Sequence, residues 1–218
     1  MNLPTLPRPR PERVTLDGRY ARLEPIGASH AADLYRASRD GDAEQRFTYL
    51  FSYQPQSEAE VAAEIAKAAG SDDPMWWVVI DKAAGTAEGR QSLMRVTPEH
   101  GVIEIGGIYW GPRMSRTRIS TEALFLHARH VFDTLGYRRF EWKCNDLNAP
   151  SKAAALRFGF KYEGVFRQHM VVKGANRDTA WFAMTDGDWP AIKAEYERWL
   201  EPGNFDAAGH QLSKLRFG

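Results

Sequence analysis

The stretch 102-VIEIGGIYWGPRMSRTRISTEALFL-126 changes its periodicity halfway along. Its first part, 102–110, is apolar and typical of a β-strand, and turn-forming residues follow at 111–117. Apolar side chains then recur at helical spacing, at Leu124, Ala128, Val131 and Leu135. The stretch therefore predicts a strand, a turn, and a helix that begins near residue 118 and ends at Gly136.

Three arginines, Arg113, Arg116 and Arg118, lie in this strand-to-helix turn. The first turn of a helix leaves backbone N–H groups free and carries the positive end of the helix dipole, so it favours an anion. Guanidinium groups add charged donors that match phosphate oxygens. We predict a diphosphate-binding loop here. The alternative is a solvated turn whose arginines have no ligand.

The flanking sequence predicts an α+β domain with a mostly antiparallel sheet. Ser29 is expected to cap a helix at 29–38, and Ser57 with Glu60 forms a capping box for a helix that stops at Gly70. The other predicted strands are 19–25, 75–81, 90–96, 138–144, 161–172 and 178–184, and the other helices are 149–158 and 189–199. A Pro-rich arm at 1–12 and a tail at 201–218 flank one domain at 13–200.

The composition excludes several classes of protein. Lys and Arg number 29 against 28 Asp and Glu, so the overall charge does not attract nucleic acid or an acidic membrane. A single cysteine, Cys144, excludes an internal disulfide and a C-x-x-C metal site. We find no secretory signal and no apolar run of about 18 residues. These features favour a soluble cytoplasmic protein.

Four segments together resemble the GNAT N-acetyltransferases, and within them the RimJ/RimL group that modifies ribosomal-protein N-termini. They are 104-EIGGIYWGP-112, 113-RMSRTRISTEA-123, 136-GYRRFEWKCNDLNAPSKAAALRFGF-160 and 176-NRDTAWFAM-184. The resemblance spans about residues 13 to 190. It implies the GNAT (acyl-CoA N-acyltransferase) fold, a mixed, mostly antiparallel central sheet flanked by helices. It also implies acetyl transfer from acetyl-CoA to a primary amine.

The resemblance also implies which residues bind the cofactor. The arginine-rich turn corresponds to the pyrophosphate motif Q/R-x-x-G-x-G/A, with Arg113 first and with Arg116 and Arg118 where glycine is usual. Either the loop keeps its path in ordinary backbone conformations, which we expect, or the site is degraded. The implied cofactor contacts are Ile108, Tyr109, Trp110, Arg113, Met114, Ser115, Arg116, Thr117, Arg118, Ile119, Ser120, Asn148 and Ser151.

Glu104 resembles the family's strand glutamate, which takes the proton of the acceptor amine. Its apolar neighbours suggest partial burial, and an outward-facing surface charge is the alternative. Gly106-Gly107 fits a β-bulge. Ser151 is the candidate that reprotonates the leaving thiolate, with Tyr109 and Tyr162 as competitors. Asn148 and Ser151 also fit simple roles, a helix cap and an exposed helical serine.

The acceptor is less well specified. Phe47, Tyr49, Phe51 and Tyr53 fall at every second position, where the family walls its acceptor pocket, although core packing also explains them. The candidates for binding an acceptor carboxylate are Arg167, His169, Arg177 and Asp178, which could also pair with each other. We expect a small-molecule or peptide amine as partner, no nucleic acid, no membrane, no metal at His127 and His130, and a possible homodimer. The alternatives are a non-catalytic CoA or nucleotide sensor and, with less support, an RNA-binding protein.

Overall fold

The structure is a computed structural model that describes residues 5–217. Its strands are β1 (Leu16–Asp17), β2 (Ala21–Pro25), β3 (Met75–Asp81), β4 (Thr86–Thr97), β5 (Val102–Trp110), β6 (Arg139–Asn145), β7 (Lys161–Val172) and β8 (Ala175–Thr185). Its α-helices are α1 (Ala31–Arg39), α2 (Ala43–Arg46), α3 (Glu58–Ala69), α4 (Arg118–Arg129), α5 (Ala149–Arg157) and α6 (Trp189–Trp199). Single turns of other helix types lie at Ala28–His30, His130–Thr134 and Pro202–Asn204.

The chain forms two compact units. The N-terminal unit comprises residues 11–94 and 105–127, and the C-terminal unit comprises 5–10, 95–104 and 128–217. Strands follow the order β1-β2-β3-β4-β5 in the N-terminal half of the chain and β6-β8-β7 in the C-terminal half. The arginine-rich turn belongs to the N-terminal unit, whereas Glu104, Asn148 and Ser151 belong to the C-terminal unit.

In the N-terminal unit, α1 and α3 pack on the antiparallel strands β2 and β3. The register pairs Leu23 with Val79, and alternate apolar residues of β3 point towards the helices. This core consists of Ile26, Ala31, Leu34, Val61, Ile65, Val78, Ile80 and Ala87. Burial of these side chains, rather than helix propensity, holds α1 and α3 in place.

In the C-terminal unit, β8 pairs antiparallel with both β6 and β7. One face of β6 is aromatic: Phe140 and Trp142 pack against Phe160, and Phe132 packs against Phe140. The opposite face carries charged residues, because successive side chains of a strand alternate between faces. That charged face bears the groups described below.

Most of the predicted elements are confirmed. β3 and β5 have the predicted bounds, and Ser57 caps α3 by accepting the Glu60 N–H. The Glu60 carboxylate accepts the N–H of Gln56 rather than that of Ser57, so the reciprocal bond of the capping box is displaced by one residue. The Ser29 cap is wrong, because Ser29 lies inside a 3₁₀ turn that makes His30 the residue before α1.

The two ends of the described chain are held by specific contacts. The Arg8 N–H donates to the Pro98 carbonyl, and the Tyr137 hydroxyl donates to the Pro9 carbonyl. The tail forms a β-bridge between Phe205 and Gln211. The predicted arm is therefore attached at Arg8 and Pro9. Residues 1–4 of the arm and residue 218 of the tail lie outside the described residues.

Candidate functional site: an arginine-rich turn and a buried charged cluster

The turn after β5 is compact because a glycine opens it. The Gly111 N–H donates to the Glu88 carbonyl at 2.8 Å, and the Gly111 carbonyl accepts from the N–H groups of Met114 and Ser115. A Cβ at residue 111 would lie 2.7 Å from the Glu88 oxygen, so only glycine fits. Met114 is fully buried and anchors the turn, which leaves Arg113 and Arg116 exposed on either side.

Arg116 adopts the left-handed backbone conformation, with φ of 62°. The expectation of ordinary backbone angles is therefore wrong at this position. The conformation is the one that glycine adopts without penalty, and for a residue with a Cβ it costs about 1–2 kcal/mol. The backbone of the turn therefore has the conformation that suits glycine, and the residue in it carries a guanidinium group.

The other two arginines of the turn have partners in the same unit. Arg113 Nε lies 3.0 Å from Asp40 Oδ2, with the arginine side chain more than half exposed. The guanidinium of Arg118 lies over the ring of Tyr20, 4.3 Å from its centroid, in a cation–π contact. Both arginines are thus oriented by neighbours.

A fourth arginine, Arg46, joins the turn from α2, and the sequence analysis missed it. Its Nη1 donates to the Ser115 hydroxyl at 2.7 Å and to the Trp110 carbonyl at 3.4 Å, while Asp42 pairs with the same guanidinium. No local signal connects residues 46 and 115, which are 69 positions apart. The turn therefore presents four arginines, two of them paired with aspartates.

The start of α4 is capped from within. Thr117 Oγ1 accepts the Ile119 N–H at 3.2 Å, and the hydroxyls of Ser120 and Thr121 donate to the Thr117 carbonyl. Ser120 is one of the predicted cofactor contacts. It is buried, and its hydroxyl is used in the hydrogen bond to Thr117. The helix dipole and the arginines of the turn both favour an anion here.

The strand before the turn holds three further predicted contacts, Ile108, Tyr109 and Trp110. Tyr109 stacks on Phe47, and its hydroxyl donates to the Ala37 carbonyl at 2.7 Å. Burial raises the pKa of Tyr109 to about 12. Its proton is therefore held in the core, which argues against Tyr109 as the acid for the thiolate.

Gly107 adopts φ of 59°, an irregularity of the kind that the predicted bulge requires. A Cβ at this position would lie 2.2 Å from the ring of Trp76. Trp110 Nε1 donates to Gln91 Oε1, which fixes the indole. Glycine is therefore required at residue 107 by both its backbone angle and its close approach to Trp76.

In the C-terminal unit, Glu104 is 3% exposed, so the alternative of an outward-facing charge is excluded. Both of its carboxylate oxygens accept from Arg95 Nη1, at 2.8 and 2.7 Å, and Oε2 also accepts from Lys143 Nζ at 2.8 Å. The carboxylate is therefore buried, as the sequence predicted, although Ile103 and Ile105 point to the opposite face of the strand. The two cations were not expected, and they occupy both oxygens of the carboxylate with charge-assisted hydrogen bonds.

Lys143 continues an alternating row of charges along β6. Its Nζ lies 2.7 Å from Glu141 Oε2 and 3.8 Å from the centroid of the Trp181 ring. Glu141 in turn accepts from Arg139 Nε at 2.7 Å, and Arg139 also pairs with Glu163 at 2.8 Å. The row runs from the buried Glu104 to the exposed Glu163.

Arg177 and Arg167 differ in their positions. Arg177 is buried, and burial lowers the pKa of its guanidinium, opposed by the field of Glu104 and reinforced by that of Arg95. Arg167 is exposed on β7. Of the two candidate arginines, the structure therefore places Arg177 in the interior and Arg167 on the surface.

Asn148 and Ser151 come together at the start of α5. Asn148 Oδ1 accepts the Ser151 N–H at 3.2 Å, which confirms the helix cap. The Ser151 hydroxyl accepts from Trp142 Nε1 at 3.0 Å. Burial raises the pKa of the neighbouring Cys144 thiol, against a hydrogen bond with Ser151. Ser151 is partly buried and engaged, rather than a freely exposed helical serine.

The aromatic segment 47–53 is not a strand. Phe47 is buried, whereas Phe51 and Tyr53 are 56% and 70% exposed, so the four rings do not form one wall. Tyr162 is also exposed, on β7.

Among residues 5–217, no group of three or more His, Cys, Asp or Glu side chains could hold a metal ion, and no helix is long and apolar enough to cross a membrane.

Comparisons with known proteins give the class. Residues 21–161 match the family model described as an acetyltransferase (GNAT) domain, and this match covers more than half of the chain. The chain therefore belongs to the GNAT acetyltransferase family. It is an acetyltransferase with the GNAT fold, a mixed sheet flanked by helices.

Several solved structures are similar to this chain. A GCN5-related N-acetyltransferase from Brucella melitensis is 57% identical, with a TM-score of 0.95 over 97% of this chain and 96% of that one. A probable GNAT-family acetyltransferase from Chromobacterium violaceum ATCC 12472 is 36% identical, with a TM-score of 0.79 over 88% and 98%. RimL, a ribosomal L7/L12 alpha-N-protein acetyltransferase in complex with coenzyme A, is 19% identical, with a TM-score of 0.66 over 79% and 98%, and shares the fold. No curated protein matches the sequence.

Proposed function

We propose that this protein transfers an acetyl group from acetyl-CoA to a primary amine by direct attack in a ternary complex. The observation that carries the proposal is the left-handed Arg116 in a turn that opens α4. A strained backbone is retained where the surrounding structure requires that path, which is typical of ligand-binding turns. The left-handed conformation keeps the path that glycine gives to this turn in the family that the sequence resembles.

The residues of the turn fit a diphosphate. Arg113 and Arg116 are exposed, Arg118 is oriented by Tyr20, and the start of α4 adds its dipole. Acetyl-CoA supplies the acetyl group as a thioester when it is bound. The turn would hold the diphosphate. We also propose that the other predicted cofactor contacts, on β5 and at Asn148 and Ser151, bind the cofactor.

Glu104 is the group proposed to take the proton of the amine. Lys143 is buried and holds Oε2, whereas the Arg95 side chain is 45% exposed and lies on a residue with φ of 49°. Arg95 is therefore the cation that can move when an acceptor arrives. Its movement would free an oxygen of Glu104 to accept a proton from the acceptor amine. Ser151 is the proposed donor of a proton to the leaving sulfur.

The pairing of Glu104 with two cations also favours a second candidate, a non-catalytic CoA sensor, because both carboxylate oxygens are already occupied by hydrogen bonds from Arg95 and Lys143. Thiol release from acetyl-CoA in the presence of an amine distinguishes the two. Release that depends on the amine supports the transferase. Binding of acetyl-CoA without release with any amine of a broad panel would support the sensor.

The finer assignment to the RimJ/RimL group is part of this proposal. It is supported by the likeness of fold to RimL and to a ribosomal-protein-serine acetyltransferase from Vibrio cholerae, which is 20% identical with a TM-score of 0.69. We propose cytoplasmic action, since the one cysteine, Cys144, is free and buried. The proposed reaction does not depend on whether the protein forms a homodimer.

A further inference from the structure

Lys143 lies between two buried carboxylates of the C-terminal unit. Its Nζ donates to Glu104 Oε2 at 2.8 Å and lies 2.7 Å from Glu141 Oε2. The side chains of these three residues are at most 11% exposed, so water contributes little to the solvation of their charges. The ammonium group and the two carboxylates therefore solvate each other.

The surroundings of the ammonium group leave no side of it for a substrate. An ammonium group carries three N–H donors and no acceptor. The two carboxylate oxygens and the face of the Trp181 ring, whose centroid is 3.8 Å from Nζ, surround Lys143. The register of β6 and β8 pairs Lys143 with Trp181, which places both on one face of the sheet. Lys143 can therefore act on a substrate only through Glu104.

Arg95, the second cation on Glu104, is held less firmly. Its Nη1 donates to both carboxylate oxygens, but its side chain is 45% exposed and its backbone has φ of 49°. In the proposed reaction Arg95 moves away when the acceptor arrives. Lys143 then stays on Oε2, because Glu141 and the Trp181 ring hold it in place. Oε1 is the oxygen that this leaves for the amine.

A buried network of this kind supplies geometry more than stability. The loss of solvation offsets most of the attraction between buried charges. The position of the carboxylate, however, decides the rate: a base has to lie within about 2.6–3.2 Å of the atom that loses the proton. A misplacement of about 1 Å can slow a reaction about a hundredfold. Glu141 accepts from Arg139 Nε at 2.7 Å, so the partner of Lys143 is itself fixed.

We propose that Lys143 is a positioning residue for acetyl transfer: it fixes Oε2 of Glu104, so that Oε1 takes the proton of the acceptor amine. The inference rests on the proposed function. In the transfer, the amine nitrogen forms a bond to the acetyl carbon, and the carbon–sulfur bond breaks with its electron pair leaving on sulfur. Glu104 accepts the proton lost by nitrogen, and sulfur receives one proton. Lys143 keeps its own protons throughout.

Lys143→Met tests the positioning role, because methionine has a similar length and no charge. The probe amines are phenethylamine, leucinamide and alanylalanine, and thiol release from acetyl-CoA is measured with each. We expect kcat to fall about tenfold to a hundredfold, while KM for the amine and the dissociation constant of acetyl-CoA change less than about twofold. Lys143→Arg returns a charged donor to Glu104 and should recover part of kcat.

A double-mutant cycle decides whether Lys143 acts through Glu104. If it does, adding Lys143→Met to Glu104→Gln should change kcat by less than about twofold, because the carboxylate that Lys143 positions is already gone. A further loss as large as that of the single Lys143→Met variant would show an independent effect. That result would overturn the inference and leave the proposed function intact.

A matched control is Lys193→Met. Lys193 Nζ lies 2.6 Å from Asp133 Oδ2, and the same carboxylate accepts from Trp189 Nε1. Lys193 thus also pairs with a carboxylate beside a tryptophan in the C-terminal unit, but it lies on α6, away from β6. Its substitution should leave kcat unchanged. An equal fall of kcat in Lys193→Met and Lys143→Met would overturn the specific role of Lys143.

Glu141→Gln tests the same network if Lys143→Met does not fold, which circular dichroism shows. It removes one of the two carboxylates that hold Lys143, so kcat should fall severalfold while acetyl-CoA binding is unchanged. An unchanged kcat in the folded Glu141→Gln variant, with Lys143→Met unfolded, would overturn the inference.

A crystal structure of folded Lys143→Met gives a readout without turnover. The Glu104 carboxylate should move by about 1 Å or more from its wild-type position, while the backbone of β5 and β6 stays in place. A carboxylate that does not move would overturn the inference and leave the proposed function intact. No thiol release by the wild-type enzyme with any of the three amines, together with no binding of acetyl-CoA, would remove both.

Discussion

The guanidinium of Arg118 lies on the ring of Tyr20, with 4.3 Å between the guanidinium carbon and the ring centroid. One turn later, the carboxylate of Glu122 accepts three consecutive backbone N–H groups, those of Arg19, Tyr20 and Ala21, at 2.6 to 2.8 Å. The β1–β2 turn is therefore attached to the start of α4 at two positions. This attachment fixes the direction of Arg118.

Tyr20→Ala should weaken CoA binding several-fold, because a cation–π contact of about 1 kcal/mol no longer orients Arg118. Tyr20→Phe keeps the aromatic face and should bind CoA as the wild type does. Calorimetric titration of both variants with CoA checks the prediction. Equal weakening in the two variants would show that the hydroxyl group, and not the ring face, matters.

Arg116→Gly should raise the free energy of unfolding by roughly 0.5–1 kcal/mol, because the relief of left-handed strain exceeds the entropy that glycine loses on folding. Arg116→Ala keeps a Cβ and should not gain this stability. Chemical denaturation of the three proteins measures the difference. A less stable glycine variant would contradict the assignment of strain to this residue.

The same pair of variants separates conformation from charge in cofactor binding. Both lack the guanidinium, so both should bind CoA more weakly if Arg116 contacts phosphate, by about threefold to tenfold. CoA affinity equal to that of the wild type in Arg116→Gly would mean that only the backbone path is used. In that case Arg113 and Arg118 would remain as the phosphate-binding side chains.

Glu104→Gln should reduce kcat by about a hundredfold or more, since an amide cannot accept a proton from the amine. The dissociation constant of acetyl-CoA should change little. The substitution also leaves Arg95 and Lys143 without their shared carboxylate, which lowers stability by about 3 kcal/mol, so folding is verified by circular dichroism. Unchanged turnover in the folded variant would assign the base to another group.

Local patterns predicted the elements whose signals are contained within a few residues. Ser57 and Glu60 identified the start of α3, and Asn148 with Pro150 identified that of α5. The apolar run at 102–110, bounded by turn-forming residues, predicted β5 with its bounds. Ser29 failed because a 3₁₀ turn displaced the start of α1.

The pairings of the candidate site were not predictable in the same way. Arg46 reaches Ser115 across 69 residues, and Lys143 reaches Glu104 across 39. Such contacts depend on the tertiary arrangement, and no spacing rule encodes them. The sequence could identify Glu104 as a candidate base, but it could not show that two cations hold its carboxylate.

The choice between Arg167 and Arg177 illustrates the same limit. Both are arginines within or beside predicted strands, and neither local sequence shows which side chain is buried. An irregular register between Phe166 and Met170 leaves Arg167 on the exposed edge strand β7, whereas Arg177 lies on the buried strand β8. A bulge of this kind changes which face a side chain occupies.

The central claim is that the turn at 111–118 binds the diphosphate of acetyl-CoA, and calorimetry on the wild-type protein tests it most directly. Acetyl-CoA and ADP, which both carry the diphosphate, should bind, acetyl-CoA with a dissociation constant on the order of micromolar. S-acetylpantetheine, which lacks the diphosphate, should bind far more weakly. Binding of S-acetylpantetheine as tight as that of acetyl-CoA, or no binding of acetyl-CoA at all, would contradict the account.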